Sequence, residues 1–311
     1  MLLTQNTTEG INIVMSGLPW EPGDEVITCD LEHVSITAPI LLASLNRGVK
    51  LRVVQVSTDD TQLTIARKFA AAVTPSTRMV FISHVQYSSG LRMPVREIGR
   101  LARSRALWYL VDGAQAAGHI PVDARDIGCD AYAMPGQKWL LGPDGTGALY
   151  VRKEMALQIQ SNAAGYESIE AFEFPAGHKL RTKDAAKFGA STTSAPLRAG
   201  YIEGLRFVTS FGIENVERRN LALAAGLRAQ LLAIPGVTVT SRFEGPECTG
   251  LVTFTLNGMV PSDLVARLWG GHNILVRKVP YPAAVRVSCH FFNTEEEVGK
   301  LAWTVRKVAG A

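Results

Sequence analysis

Short apolar runs and helical patterns alternate along the first two-thirds of this chain, and this alternation restricts its fold more than any other feature. Three runs rich in β-branched residues predict strands at 48–56, 77–84 and 107–113. Apolar residues at helical spacing predict helices at 63–73 and 94–105. Such alternation is typical of a mostly parallel sheet covered by helices on both faces, so we expect an α/β fold.

A different pattern follows in the last third. Residues 195–235 predict two long helices. Beyond them the sequence predicts strands at 237–240, 250–256 and 284–290, and helices at 262–269 and 294–308. Thr294 and Glu297 have the spacing of a capping box at the start of the last helix. These patterns predict a large domain over residues 1–205 and a small α+β domain over residues 206–311.

Composition argues against several classes of protein. The chain has 311 residues and a net charge of +4, with basic residues scattered along it, which disfavours a nucleic-acid-binding surface. No apolar run is long enough to span a membrane, and the N-terminus lacks a secretory signal, so we expect a cytoplasmic protein acting on a small molecule. The four cysteines lack the paired spacing of a zinc site or a disulfide framework, and no metal site is predicted.

Two residues suggest a cofactor. Asp112 follows the apolar run 108–111, so we expect its carboxylate at the carboxyl end of a buried strand, where parallel sheets present ligands. Lys138 precedes an apolar stretch and a glycine-rich turn. A lysine that can form a Schiff base and a carboxylate that can keep a pyridine nitrogen protonated are the groups that pyridoxal 5'-phosphate needs. The alternatives are an aspartate in a turn or helix cap and a lysine on the surface.

Other polar side chains lie beside predicted elements. Thr7 and Thr8 precede a helical run at 11–16, and a helix start can bind phosphate, although a plain helix cap also explains them. His33 follows a predicted strand and could lie on a cofactor ring, although a lone histidine is more often structural. Arg286 lies within a predicted strand, where a substrate carboxylate or a structural salt bridge would satisfy its guanidinium.

Together these residues resemble the fold-type I, class V aminotransferase family, within it the branch of cysteine desulfurases, carbon–sulfur lyases and isopenicillin N epimerases. The similarity extends from about Thr4 to the C-terminus and is densest in the segments YLVDGAQAAGHIPVD, GQKWLLGPDGTGALYV and RVSCHFFNTEEEV. In that branch the chain resembles the cystine and cysteine carbon–sulfur lyases in particular. The resemblance implies the fold of pyridoxal-phosphate-dependent transferases and a homodimer with shared active sites.

The resemblance also implies a role for individual residues. The implied cofactor contacts are Lys138 as the Schiff base, Asp112 at the pyridine nitrogen, Gln115 at the phenolic oxygen, His33 stacked on the ring, and Thr7 and Thr8 at the phosphate. Arg286, with Arg277 assisting, would bind the substrate carboxylate. Thr192 matches a threonine that these proteins lend to the phosphate of the neighbouring subunit.

Several positions depart from the family pattern. Gln137 replaces a histidine just before the lysine, and Pro135 replaces a serine or threonine, so one expected phosphate ligand is lost and another is changed. Ser88 corresponds to an asparagine near the phenolic oxygen, and Ile274 stands in place of the nucleophilic cysteine of desulfurases. The chain begins just before the phosphate-binding turn, without the segment that relatives fold over the substrate entrance, so we expect a more open site or another cover.

The missing thiol at Ile274 favours elimination over desulfuration, and Cys248 is interpreted as an ordinary loop thiol. We therefore expect a pyridoxal-phosphate-dependent lyase that acts on cysteine, cystine or a cysteine conjugate through Lys138. A desulfurase-like enzyme, an epimerase or an aminotransferase of the same family is the alternative reaction. A catalytically degenerate binding protein is the alternative of another class.

Overall fold

The large sheet of the protein is mostly parallel. The computed structural model describes residues 1–173, 177–241 and 245–310. Its seven large-sheet strands are β1 Leu2–Thr4, β2 Glu25–Cys29, β3 Lys50–Val54, β4 Thr77–Ser83, β5 Trp108–Asp112, β6 Ala131–Pro135 and β7 Gly147–Val151. They lie in the order β1-β7-β6-β5-β4-β2-β3. The pairs among β2 to β6 are parallel, whereas β7 pairs antiparallel with both β6 and β1. The predicted α/β fold is therefore confirmed.

Helices cover both faces of this sheet. In chain order they are α1 Thr7–Gly17, α2 Val34–Arg47, α3 Gln62–Ala72, α4 Val95–Ser104, α5 Ala124–Ile127 and α6 Lys153–Gln158. Ile11 of α1 and Ile36 of α2 pack into the core on one face. Phe69 of α3 and Ile98 of α4 pack into the core on the other face. Because both faces are covered, ligands reach the sheet at the carboxyl ends of its strands.

A second, smaller sheet follows in the C-terminal part. After the hairpin β8 Ile169–Glu173 and β9 Gly177–Leu180, the remaining elements are α7 Ala195–Ser210, α8 Ile213–Leu232, β10 Val237–Val239, β11 Leu251–Leu256, α9 Pro261–His272, β12 Arg277–Pro280, β13 Ala283–Ser288 and α10 Glu295–Ala309. The four strands β10-β11-β13-β12 are antiparallel. Leu227 of α8 and Val305 of α10 pack in one core with Phe254 of β11. Helix α7 is continuous across residues 205 and 206, and the division into domains at that point stays a prediction.

Two helix starts test the capping patterns. The capping box of α10 is confirmed, because Thr294 Oγ1 accepts from Glu297 N at 3.1 Å and Glu297 Oε2 accepts from Thr294 N at 3.0 Å. Helix α1 begins earlier than the predicted run at 11–16. Asn6 is its N-cap and accepts from Glu9 N at 2.9 Å, so the following residues, starting at Thr7, already lie in its first turn.

No helix in the described ranges is long and apolar enough to cross a membrane. Elements that the sequence did not predict include β1, α2 and β6. Another is β12, which contains Arg277. Its pattern is short and polar, with Arg277, Lys278 and Pro280 exposed, and only its pairing with β13 defines it as a strand.

Candidate active site

One cavity of about 310 Å³ lies where the carboxyl ends of the parallel strands meet the small sheet, a volume typical of small-molecule sites. The segments that follow β2, β4, β5 and β6 line it, together with the start of α1 and residues of β12 and β13. Nine of the ten predicted site residues line this cavity: Thr7, Thr8, His33, Asp112, Gln115, Gln137, Lys138, Arg277 and Arg286. Their assigned roles stay predictions.

Lys138 and Asp112 face this cavity from two neighbouring strand ends. Asp112 is the last residue of β5 and is only 3% exposed, and its Oδ1 accepts from Ala114 N at 2.7 Å. Burial raises its pKa, while the bond from Ala114 and the charge of Lys138 oppose the rise. The Lys138 side chain is exposed to the cavity, yet the cavity walls desolvate its amine and lower its pKa, against the charge of Asp112. Within the described ranges neither group forms a salt bridge, so both remain available to a ligand.

His33 is fixed by the start of α2. It is the N-cap residue of that helix, and its Nδ1 accepts from Ser35 N at 3.1 Å. Burial lowers the pKa of the imidazole, and the positive charges of Lys138, Arg277 and Arg286 lower it further. The ring is therefore neutral at neutral pH, with its remaining proton on Nε2. A neutral flat ring at the cavity wall is suited to stacking on an aromatic ligand.

The first turn of α1 meets the cavity with a geometry suited to an anion. Thr7 and Thr8 occupy the first two helical positions, whose backbone N–H groups have no partner inside a helix. Thr8 Oγ1 donates to Ser35 Oγ at 3.1 Å, which links this turn to the start of α2. Gln137 lines the same cavity, and its Oε1 is buried without a hydrogen-bond partner. If the oxygen and nitrogen of that side-chain amide exchanged places, its NH₂ group would point towards a bound phosphate. The residues present therefore fit the phosphate group of the cofactor.

Arg286 and Arg277 lie side by side on the small sheet. They are register partners in the antiparallel pair of β12 and β13, and both line the cavity. Arg286 Nη1 donates to Tyr87 O at 2.8 Å, whereas Arg286 Nε is buried without a partner. Burial lowers the pKa of this guanidinium to about 10, which leaves it charged at neutral pH. A buried cation with an unsatisfied donor is suited to a carboxylate ligand.

Gln115 meets the cavity from the turn after β5. Its Oε1 accepts from Trp139 Nε1 at 2.9 Å, so its NH₂ group remains free to donate to a ligand oxygen. The Trp139 ring stacks on His119, with centroids 3.6 Å apart. This packing fixes the position of Trp139, which directly follows Lys138.

Comparison with known proteins identifies the family. A model described as aminotransferase class-V matches residues 1–301. The chain belongs to this family. It is 31% identical to a probable cysteine desulfurase of Methanothermobacter thermautotrophicus, over 100% of this chain and 79% of the relative. It is 30% identical to a cysteine desulfurase of Escherichia coli O127:H6, over 99% of this chain and 77% of the relative.

Solved structures give the same result. A complex of the cystine C–S lyase C-DES with its reaction product cysteine persulfide superposes with a TM-score of 0.90 at 28% identity, covering 98% of this chain and 80% of that one. An apo cysteine desulfurase of Thermococcus onnurineus NA1 superposes with a TM-score of 0.90 at 26% identity, covering 99% of this chain and 79% of that one. The predicted family, its desulfurase and carbon–sulfur lyase branch and the predicted fold type are thereby confirmed.

One position of this class V family chain differs from the sequence-based interpretation. Ser88 does not line the cavity, since its Oγ donates to Leu31 O at 3.3 Å and the residue is 2% exposed. Tyr87, one residue earlier, lines the cavity instead. The tight turn after β4 decides which side chain points inward, and the sequence alone could not place it. The side chain that this turn presents to the cavity is therefore that of Tyr87.

Thr192 is the predicted residue that lies elsewhere. It is exposed and lines a separate cavity of about 840 Å³, together with residues such as Leu3 and Ser194. Within one chain it does not reach the site of Lys138. Its predicted contact with the phosphate of a neighbouring subunit stays a prediction.

Proposed function

We propose that this chain is a pyridoxal-phosphate-dependent lyase that eliminates sulfur from cysteine, cystine or a cysteine conjugate. The observation that supports it most is the convergence of Lys138, Asp112 and Arg286 on one cavity. The family membership and the fit of the phosphate and carboxylate positions agree with it. The relatives named cysteine desulfurases and the cystine C–S lyase of known structure support the same branch of chemistry.

Each residue has a distinct task in this reaction. Arg286 binds the substrate carboxylate, and the Lys138 amine removes the proton from Cα. Asp112 keeps a pyridine nitrogen protonated, and His33, Gln115, Gln137 and the first turn of α1 hold the rest of the cofactor. When bound, the cofactor delocalises the electron pair left at Cα. Loss of the β-sulfur leaves aminoacrylate, which water converts to pyruvate and ammonia.

The cysteines favour elimination over an enzyme-bound persulfide. Cys29, Cys129, Cys248 and Cys289 are buried and form no disulfide within the described residues, and none of the four lines the cavity. Burial raises the pKa of Cys129 and of Cys289 to about 12, so these thiols are poor nucleophiles at neutral pH. A desulfurase of the usual kind needs a reactive thiol at the substrate.

A product assay tests this function. The cofactor-loaded protein should release pyruvate, ammonia and a thiol or persulfide from cystine and from S-substituted cysteines. Lys138→Ala should abolish release, while Lys183→Ala, an exposed lysine outside the cavity, should leave it unchanged. Racemised substrate or a new amino acid without pyruvate would indicate an epimerase or an aminotransferase. A protein that stays colourless with added cofactor would indicate a binding protein.

We also propose a homodimer in which Thr192 serves the partner's site. Mixing inactive Lys138→Ala chains with weakened Thr192→Ala chains would then produce mixed dimers with one intact site of two. Random reassociation should restore about a quarter of the normal activity. No recovery, with subunit exchange verified by a tag on one variant, would contradict the shared site.

A further inference from the structure

Tyr87 is a half-buried side chain at the cavity wall that has no task so far. Its ring and that of His33 meet edge to face, with centroids 4.8 Å apart and planes at 88°. Its phenol also interacts electrostatically with Arg286 and Arg277. The Tyr87 carbonyl accepts from Arg286 Nη1 at 2.8 Å, which fixes the residue beside the arginines. Tyr87 therefore borders both the ring of His33 and the arginine pair.

This position matters because of what lies between those groups during elimination. If His33 covers the cofactor ring and Arg286 holds the substrate carboxylate, the Cα and Cβ atoms of the substrate lie between them. The sulfur on Cβ gains negative charge as its bond to carbon breaks. A hydrogen-bond donor aimed at such developing charge lowers the barrier.

The other groups at the cavity wall are less suited to this task. Neutral His33 is a weak donor at best, because its low pKa keeps it from becoming an imidazolium at neutral pH. Lys138 is occupied with the proton from Cα. Arg286 is occupied with the carboxylate. Burial raises the pKa of Tyr87, so its phenol keeps its proton throughout the neutral range.

We propose that the Tyr87 phenol donates a hydrogen bond to the substrate sulfur as the Cβ–S bond breaks, with Arg277 supplying positive charge nearby. The electron pair of that bond moves to sulfur, which leaves as a thiolate and takes its proton from water. The assignment rests on the proposed elimination. It makes Tyr87 a catalytic residue for the leaving group.

A series of leaving groups tests it. The rate of pyruvate release is measured for S-substituted cysteines whose thiols range from weakly acidic alkyl thiols to strongly acidic nitrothiophenol. Tyr87→Phe keeps the ring against His33 and removes only the hydroxyl. We expect it to slow alkyl thiol release about tenfold or more and nitrothiophenol release by less than about twofold, which steepens the dependence of rate on thiol pKa. Tyr166→Phe, which changes an 85% exposed tyrosine outside the cavity, should have no effect.

A second readout does not depend on turnover. Equilibrium binding of 4-nitrothiophenolate to the cofactor-loaded protein, followed by its visible absorbance, should weaken in Tyr87→Phe and stay unchanged in Tyr166→Phe. Equal slopes in the leaving-group series together with equal thiolate binding would overturn the assignment while leaving the lyase function intact. If the unmodified protein catalyses no elimination, both the proposed lyase function and the assignment of Tyr87 are contradicted.

Discussion

At the scale of single residues, the cavity selects its ligands by charge. Among the residues that the structure describes, Lys138, Arg277 and Arg286 face it with three basic groups, and Asp112 alone adds a carboxylate. Desolvation strengthens the interaction of such groups with an anion. A ligand with a phosphate at one end and a carboxylate at the other would satisfy this surplus. The Asp112 carboxylate is then the partner for a cationic ring nitrogen rather than for the lysine alone.

The role of Arg286 can be separated from that of its neighbour. Arg286→Lys keeps the charge but loses the planar pair of donors, so we expect the KM for cystine to rise about tenfold to a hundredfold with a smaller change in kcat. Steady-state kinetics measure this. Arg277→Lys, at the exposed partner position, should raise KM much less. Equal effects of the two substitutions would contradict the assignment.

The sequence predicts some of these residues better than others. Asp112 and Lys138 are marked by their local context, an apolar strand before one and a glycine-rich turn after the other. Tyr87 and Ser35 were missed because nothing near them in sequence indicates which way their side chains point. Their place in the cavity depends on how turns from separate strands meet at the sheet edge. Arg277 was identified only by resemblance, since β12 has no strand pattern of its own.

At the scale of elements, caps and strand ends position the site. Asn6 fixes where α1 begins, and His33 fixes where α2 begins. Both helices therefore present their first turns to one cavity. The carboxyl ends of strands β4, β5 and β6 line the same cavity. Strands β3, β4 and β5 and helices α3 and α4 follow from the apolar patterns alone. The sheet order, with β4 between β2 and β5, does not, because it depends on contacts between distant segments.

The capping box of α10 should contribute to stability without affecting catalysis. Thr294→Ala removes the acceptor for Glu297 N, so we expect the free energy of unfolding to fall by about 1 kcal/mol. Denaturant titration measures it, and the lyase rate should not change. Thr209→Ala, which replaces a threonine in the last turn of α7, should cost less, since alanine favours helix. A larger loss at Thr209 would contradict the capping argument.

At the scale of the whole molecule, buried ionisable groups make the stability depend on pH. Burial lowers the pKa of His84 and of His119 from 6.5 to about 3. Their neutral forms stabilise the fold above pH 6.5, and this contribution is lost as the pH falls from 6.5 towards 3. Burial has the opposite effect on Glu32, whose pKa rises from 4.5 to about 7. The contribution of the protonated Glu32 to the free energy of unfolding is present below pH 4.5 and is lost as the pH rises through 7.

The two effects oppose each other between pH 4.5 and 6.5, which gives a test. Glu32→Gln removes the carboxyl that accepts from Ser83 and Gln86, and with it the opposing titration. In the variant, the free energy of unfolding should rise more steeply with pH in this window, by about 1.4 kcal/mol per pH unit. Urea titrations at several pH values measure the slope. An unchanged slope would show that Glu32 does not titrate as stated.

The most direct test of the central claim is the attachment point of the cofactor. The protein is loaded with pyridoxal phosphate, reduced with borohydride, digested and examined by mass spectrometry. We predict that one reduced cofactor is added per chain, on the peptide that contains Lys138, and that Lys138→Ala carries none. A chain that takes up no label, or takes it up on another lysine, would contradict the account.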